Sequence, residues 1–368
     1  MKLRSALLAF AFAGVLGSTE TLAQNAYVTN LDSKSVSVVN TRTNAVIATV
    51  PVGVGPWGVA VSPDGRRVYV ANNSSASLSV IDAASNTVIA TVNLPYALEV
   101  AVNADGSRVY VTNLFGDLAA IDASTNKLTS MIPAGPGPYA VVVANKKIYV
   151  ANSSTPAIVT VIDEATDKIT STISVGLITS APGLAASPDG RRVYVTNEIG
   201  DNVPVIDTGT DTVIATIPVP ISISAAVSPD GSKIYIPNRG NHIAVADAQT
   251  NSVIGSSDFI NGGLAGVSVT PDGREIYVAN FDADLATVVD AATGVITATI
   301  PVGNSPLAFG NFIQPAPRFA GTPGKANCHG KSVSALAQQY GGLNNAAAAL
   351  SYPSVSALQN AIEAYCEA

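Results

Sequence analysis

The chain has 368 residues, 47% of them apolar and only 12% charged, with 30 glycines, 22 prolines and a formal charge of -7. That apolar fraction excludes a disordered chain, and the mixed composition excludes collagen-like and coiled-coil architectures. Mild acidity argues against general polyanion binding, which needs clustered lysine and arginine.

In chain order, Lys2 and Arg4 precede an apolar run from Ala6 to Leu16, and a more polar stretch ends at Ala23. This is the layout of a secretory signal peptide over residues 1–23, with cleavage expected after Ala23. The apolar run is too short to span a bilayer about 30 Å thick as a helix. An exported protein in the periplasm, on the cell surface or in the medium is expected, with no transmembrane segment after cleavage.

A tyrosine-led tetrad then recurs, first as Tyr27-Val28-Thr29-Asn30. It returns at Tyr69, Tyr110, Tyr149, Tyr194, Tyr235 and Tyr277, each followed by asparagine at the fourth position. Each repeat carries four short β-branched runs, clearest in Gly58–Ser62, Val68–Asn72, Leu78–Asp82 and Val88–Val92. Such runs read as strands. Ser62-Pro63-Asp64-Gly65 supplies proline for φ near −65° and glycine for positive φ, closing a hairpin between the first two strands. The same turn recurs at Ser187, Ser228 and Thr270, loosely at Asn103, and is shortened at Asn145-Lys146-Lys147. Asp82, Asp122, Asp163, Asp207, Asp247 and Asp290, with Asn40 in the first repeat, end the third strand, where a short side chain can bond the turn backbone.

Four antiparallel strands every ~40 residues is the period of a β-propeller blade. Pro51, Pro133, Pro218 and Pro301 close fourth strands, which places that strand at the outer edge. The chain enters on a second strand, and Leu307–Ile313 is a lone first-strand equivalent. The expected fold is therefore all-β: a seven-bladed β-propeller over residues 26–315, its ring closed by N- and C-terminal strands.

Residues 316–327 read as a Pro/Gly linker. Residues 328–368 read as a small helical module, with helices near 332–340, 343–350 and 354–366 and Ser354 as an N-cap. Cys328 and Cys366, the only cysteines, bracket it, and in an exported chain an isolated pair points to a disulfide.

The Tyr-Val-Thr-Asn and Tyr-Val-Ala-Asn tetrads, with the Ser62–Gly65 turn and Val80-Ile81-Asp82, resemble the YVTN β-propeller repeat family of surface-layer and periplasmic propellers. The resemblance covers the repeats and implies the fold. Related propellers include lactonases, amine-dehydrogenase heavy chains and cytochrome-type nitrite reductases, so it leaves activity open. No Cys-x-x-Cys-His haem site accompanies it.

Ligands of propellers bind at the mouth of the axial channel. The fourth-to-first and second-to-third loops share that face and carry Trp57, Tyr96, Phe115, Tyr139, Phe281, Asp282 and Asp284. Trp57, the only tryptophan, is either a contact anchor or a ring that plugs the channel or packs between blades. Glu99 aligns with Gly58, Ala140, Gly183, Ser224, Gly266 and Ala308, the one charged member of a ring of small residues. It could ligate a metal or act as a base, or pair with an arginine such as Arg239. The opposite face collects bases including Arg66, Arg67, Arg108, Lys147, Arg191 and Arg192, read as local ion pairs with the turn aspartates.

No catalytic motif is recognisable. The leading expectation is an exported non-enzymatic scaffold that binds a protein or cell-envelope partner, with Trp57, Tyr96, Glu99, Tyr139, Asp282 and Asp284 as candidate binding residues and no cofactor. The alternative is a ligand-binding propeller or a metal-dependent, lactonase-like enzyme in which Glu99, Asp282 or Asp284 holds a divalent cation. A nucleic-acid partner through the basic face is the weakest reading.

Overall fold

A computed structural model describes residues 24–176, 183–315, 328–340, 342–350, 352 and 354–367. The expected signal segment 1–23 and linker 316–327 lie outside the described residues. Strands β1 (Asn25–Asn30), β2 (Ser35–Asn40) and β3 (Ala45–Pro51) form one sheet, and β4 (Pro56–Val61), β5 (Arg67–Asn72), β6 (Ser77–Asp82) and β7 (Thr87–Asn93) the next. Five more four-stranded antiparallel sheets follow, the first beginning with β8 (Ala97–Val102). Each runs in sequence order from an inner first strand to an outer fourth.

The three-stranded sheet is completed by the far end of the chain. The Tyr27 N–H donates to the Phe312 carbonyl at 2.8 Å, Leu307 N–H to Thr29 at 2.9 Å, and Gln314 N–H to Asn25 at 2.9 Å. Ala26 bridges Ile313 and Asn30 bridges Pro306, both antiparallel. The buried Gln314 side chain locks this seam. Its Oε1 accepts from Asn25 N–H and its Nε2 donates to the Gly65 carbonyl of the neighbouring blade. Seven blades thus close into a ring, as the repeats predict.

β1 and β2 are buried along their whole length. Sandwiching each blade between two neighbours removes the alternation of a half-solvated sheet. The seven tetrad tyrosines sit in these blade interfaces, none more than 1% exposed. Two reach across with their hydroxyls: Tyr149 donates to Asp211 Oδ1 at 2.7 Å, and Tyr277 to the Thr41 carbonyl and Asn44 Oδ1. In β3 and β7 only Val50 and Val92 are buried. These outer edges are blunted. In every blade the pairing of third and fourth strands slips, as between Val38 and Val39 or Val80 and Ile81. A bulge bends and twists the edge away from further pairing.

The turns follow their side chains. Asp122 Oδ1 accepts from the Thr125 N–H at 2.7 Å and the Ser124 hydroxyl at 2.6 Å, which holds its carboxyl down to about 2. Equivalent bonds form at Asp82, Asp163, Asp207, Asp247, Asp290 and Asn40.

The basic side chains of this turn face divide between the local pairing expected and ties to the next blade. Arg191 and Arg274 approach their turn aspartates only at 3.8 and 3.9 Å. Arg108 instead crosses to the next blade, reaching Asp167 Oδ2 and the Glu164 carbonyl, both at 2.8 Å. Lys147 likewise reaches Asp211 Oδ2 at 2.8 Å and the Thr208 carbonyl at 2.9 Å. Arg67 and Arg192 bond the Ala123 and Ala248 carbonyls in the same manner. The cause is positional: these residues open the second strand, where a long side chain spans the blade interface, whereas Arg191 and Arg274 lie in the solvated turn.

The C-terminal module comprises α1 (Cys328–Tyr340), α2 (Leu343–Ala349) and α3 (Val355–Glu367), closed by a Cys328–Cys366 disulfide with Cα atoms 5.7 Å apart. Ser354 caps α3, its Oγ accepting the Ala357 N–H at 3.1 Å. α1 starts earlier than its apolar pattern suggested, because the disulfide anchors its first turn to the end of α3. Leu336, Ala346, Ala347, Leu350, Leu358 and Ile362 form its core, and Ala84, in the β6–β7 turn, packs against that core. The module therefore meets the propeller on the turn face.

Candidate functional site

At the loop end of the channel lies a cavity of about 710 Å3. Its inner wall is built by backbone slips at the start of four first strands: between Pro56 and Val59, Ala97 and Val100, Pro138 and Ala140, and Leu264 and Val267. The residues left unpaired include Trp57, Glu99 and Tyr139, which the slips turn into the channel. Tetrad threonines stitch this wall together. Thr29 Oγ1 donates to the Trp57 carbonyl and Thr112 Oγ1 to that of Tyr139, both at 2.9 Å, and Thr196 Oγ1 to that of Ile223 at 3.2 Å. Gly58 is required where it stands, since a Cβ there would lie 2.6 Å from the Leu98 carbonyl oxygen and 2.7 Å from Glu99 Cα.

Trp57 is half-buried. Its ring stacks on Phe309 at 5.6 Å between centroids and meets Tyr139 edge-on at 6.5 Å. It lines the cavity and also packs on the neighbouring blade through Phe309.

Glu99 lines the same wall and is 7% exposed. Burial pushes its carboxyl up to about 8, opposed by a hydrogen bond from the Val141 N–H. Among the described residues no lysine, arginine or histidine pairs with it. Arg239, the cation suggested for it, binds Glu198 Oε1 at 3.3 Å instead. Burial, then the Glu198 and Glu99 charges, drive the Tyr139 phenol above its usual range.

Asp282 also lines the cavity, with its carboxylate pressed against Gly263. Asp284 and Tyr96 do not line it. Asp284 accepts the Ser305 N–H at 2.8 Å and ties two loops together. Tyr96 projects outward and packs edge-to-face on Phe115 at 4.2 Å. Among the described residues no three histidine, cysteine or carboxylate side chains converge as a metal-ligand set, and of Glu99, Asp282 and Asp284 the first two share the cavity.

Leu31, Glu198, Arg239 and Phe281 also line the cavity; of these the sequence had singled out Phe281 as a mouth-loop aromatic and Arg239 as a partner for Glu99. Each directly follows a tetrad asparagine. That register was available: the position just past each tetrad varies in chemistry while the tetrad itself repeats. Phe309 carries a comparable signal, an aromatic where the aligned Val59, Val100 and Val141 are small.

No protein-family model and no curated protein matches the sequence. The repeat-family resemblance thus rests on the tetrads themselves. Solved structures do match. A hydrazine synthase from Kuenenia stuttgartiensis aligns at 23% identity with a TM-score of 0.65, covering 73% of this chain and 92% of that one. A functionally unknown protein from Desulfotomaculum acetoxidans aligns at 16% identity and TM-score 0.66, covering 78% and 99%. The dihydro-heme d1 dehydrogenase NirN in complex with DHE aligns at 20% and 0.57, covering 79% and 75%. At these identities the likeness shows the β-propeller fold and nothing of the chemistry.

Proposed function

We propose that this protein is an exported, non-catalytic binding propeller that recognises its partner through the loop face, with the channel-mouth cavity receiving a group of that partner. The observation that carries this reading is the 710 Å3 cavity at the ring's centre, walled by Trp57, Tyr139 and Phe309 and holding the buried carboxyl of Glu99. A few placed polar groups among rings is the make-up of a ligand site. Exposed Tyr96 and Phe115 extend the apolar surface beyond the mouth. Binding is favoured over catalysis because no serine, histidine or cysteine is among the cavity's described lining residues, so Glu99 has no hydroxyl, imidazole or thiol triad partner there.

Trp57, the only tryptophan, reports directly on the cavity. Titration of the purified protein with small aromatic probes of positive, neutral and negative charge should produce a saturable change in its emission for at least one of them. A flat emission with all three would overturn the reading.

A further inference from the structure

We infer that the channel-mouth cavity is a receptor for an organic cation, an amidinium, guanidinium or ammonium group on an apolar stem; this rests on the reading of the cavity as a binding site. Three features converge on that charge. The wall is aromatic, with Trp57 stacked on Phe309 and Tyr139 edge-on to it, and ring faces attract a cation within about 6 Å of their centroids. Glu99 is buried in that wall, and among the described residues no lysine, arginine or histidine is paired with it. The rest of the mouth is also negative in balance. Arg239 is engaged by Glu198, while Asp282 lines the cavity. Asp201 and Asp284 lie on loops of the same face, where Lys34 and Arg239 are the only lysine or arginine among the described residues.

Each class of ligand would fare differently. An anion would meet Glu99 and Asp282 with no uncommitted base to receive it. A neutral ring could fill the apolar space but would gain only a neutral hydrogen bond from Glu99. A cation would form a charge-assisted pair with the carboxylate, which is shorter and roughly twice as strong, and would cover its charge with the surrounding rings. The forked amidinium or guanidinium matches a carboxylate with two parallel bonds.

The test uses three probes of one shape: benzamidinium, benzamide and benzoate, followed by Trp57 emission. Benzamidinium should bind at least roughly tenfold tighter than either of the others at pH 8.5, a gap of one charge-assisted pair. Its affinity should fall about tenfold per pH unit below 8, as Glu99 takes up its proton. Tyr139, Glu198, Arg239 and Asp282 are the other charged or titratable groups that line the cavity, and a Glu99 variant separates its part in the slope from theirs. Glu99→Gln should abolish both the preference and the slope. Equal or tighter binding of benzamide or benzoate would overturn the cation assignment while leaving the binding site standing. No response to any probe would overturn both. The wild-type comparison alone decides this if the variant fails to fold. A peptide presenting one arginine between apolar residues separates two sources of the cation. Tighter binding than benzamidinium, weakened by Phe115→Ser, assigns it to a protein segment; weaker binding assigns it to a free small molecule.

Discussion

The indole of Trp57 lies against the ring of Phe309, 5.6 Å between centroids and 17° from parallel. Trp57 belongs to β4 near the start of the chain, and Phe309 to the C-terminal segment that completes the ring. The cavity wall is therefore shared between the two ends of the propeller. Phe309→Ala should open that wall, shift Trp57 emission to the red and cost roughly 2 kcal/mol, below the full range for a buried phenylalanine because the ring is only half-buried. Emission spectra and urea unfolding check both parts. An unchanged emission maximum would contradict the shared wall.

Glu99 makes a signed prediction about pH. Its folded-state pKa near 8 stands above the ordinary value of 4.5. Between those values the folded chain holds a proton that the unfolded chain has released. The stability linked to this group is full below pH 4.5 and is lost as pH rises to about 8, at up to about 1.4 kcal/mol per pH unit. Glu99→Gln removes that loss. Its urea midpoint should stay close to that of the wild type at pH 4.5 and exceed it progressively at pH 7 and 9. Parallel profiles would mean that Glu99 is solvated in solution.

The ties between blades should outweigh the pairs within turns. Asp211 accepts from both Lys147 and the Tyr149 hydroxyl, with side-chain exposures of 25% for Lys147 and 15% for Asp211. Asp211→Ala should cost about 1–2 kcal/mol, because it strands a partly buried ammonium and a phenol. Arg191→Ala, at an exposed pair 3.8 Å long, should stay within about 0.5 kcal/mol of wild type. Denaturant titration of the two variants, with nearly equal losses, would refute this ranking.

The disulfide should matter to the module and little to the ring. Replacing Cys328 and Cys366 by serine opens a loop with a sequence separation of 38, worth about 4 kcal/mol in the chain-entropy model. Limited proteolysis should then cut within residues 328–367 while the propeller remains resistant. A module as resistant as before would show that its contact with Ala84 and its own small core suffice.

Much of this architecture was legible because it repeats. Seven tyrosine tetrads, the proline-ended fourth strands and the lone run Leu307–Ile313 each state a local rule that the ring satisfies globally. Ring closure, the disulfide and the Ser354 cap could all be read in that way. The site was harder, since it is built from the positions where the repeats differ. Glu99 was visible as an exception to its register, Trp57 as the only tryptophan, and Tyr139 and Asp282 only as residues of the mouth loops. Tyr96 and Asp284 share the loops but not the cavity, because positive φ angles of 57° at both residues redirect the chain. The pairing of Arg239 with Glu198 joins residues on neighbouring blades, a relation that depends on how blades are set around the axis. The same is true of Arg108 and Asp167, whose meeting is a property of the interface and not of either turn.

The seam between β1 and residues 306–313 also sets an order of events during biosynthesis. The chain is made from its N terminus, so β4 carries Trp57 long before Phe309 exists. A nascent chain that stops short of residue 306 would hold six complete blades and the three strands β1–β3, with no Phe309 ring behind the tryptophan. The aromatic wall at the channel mouth is thus completed in a single late step, when the last strand is seated.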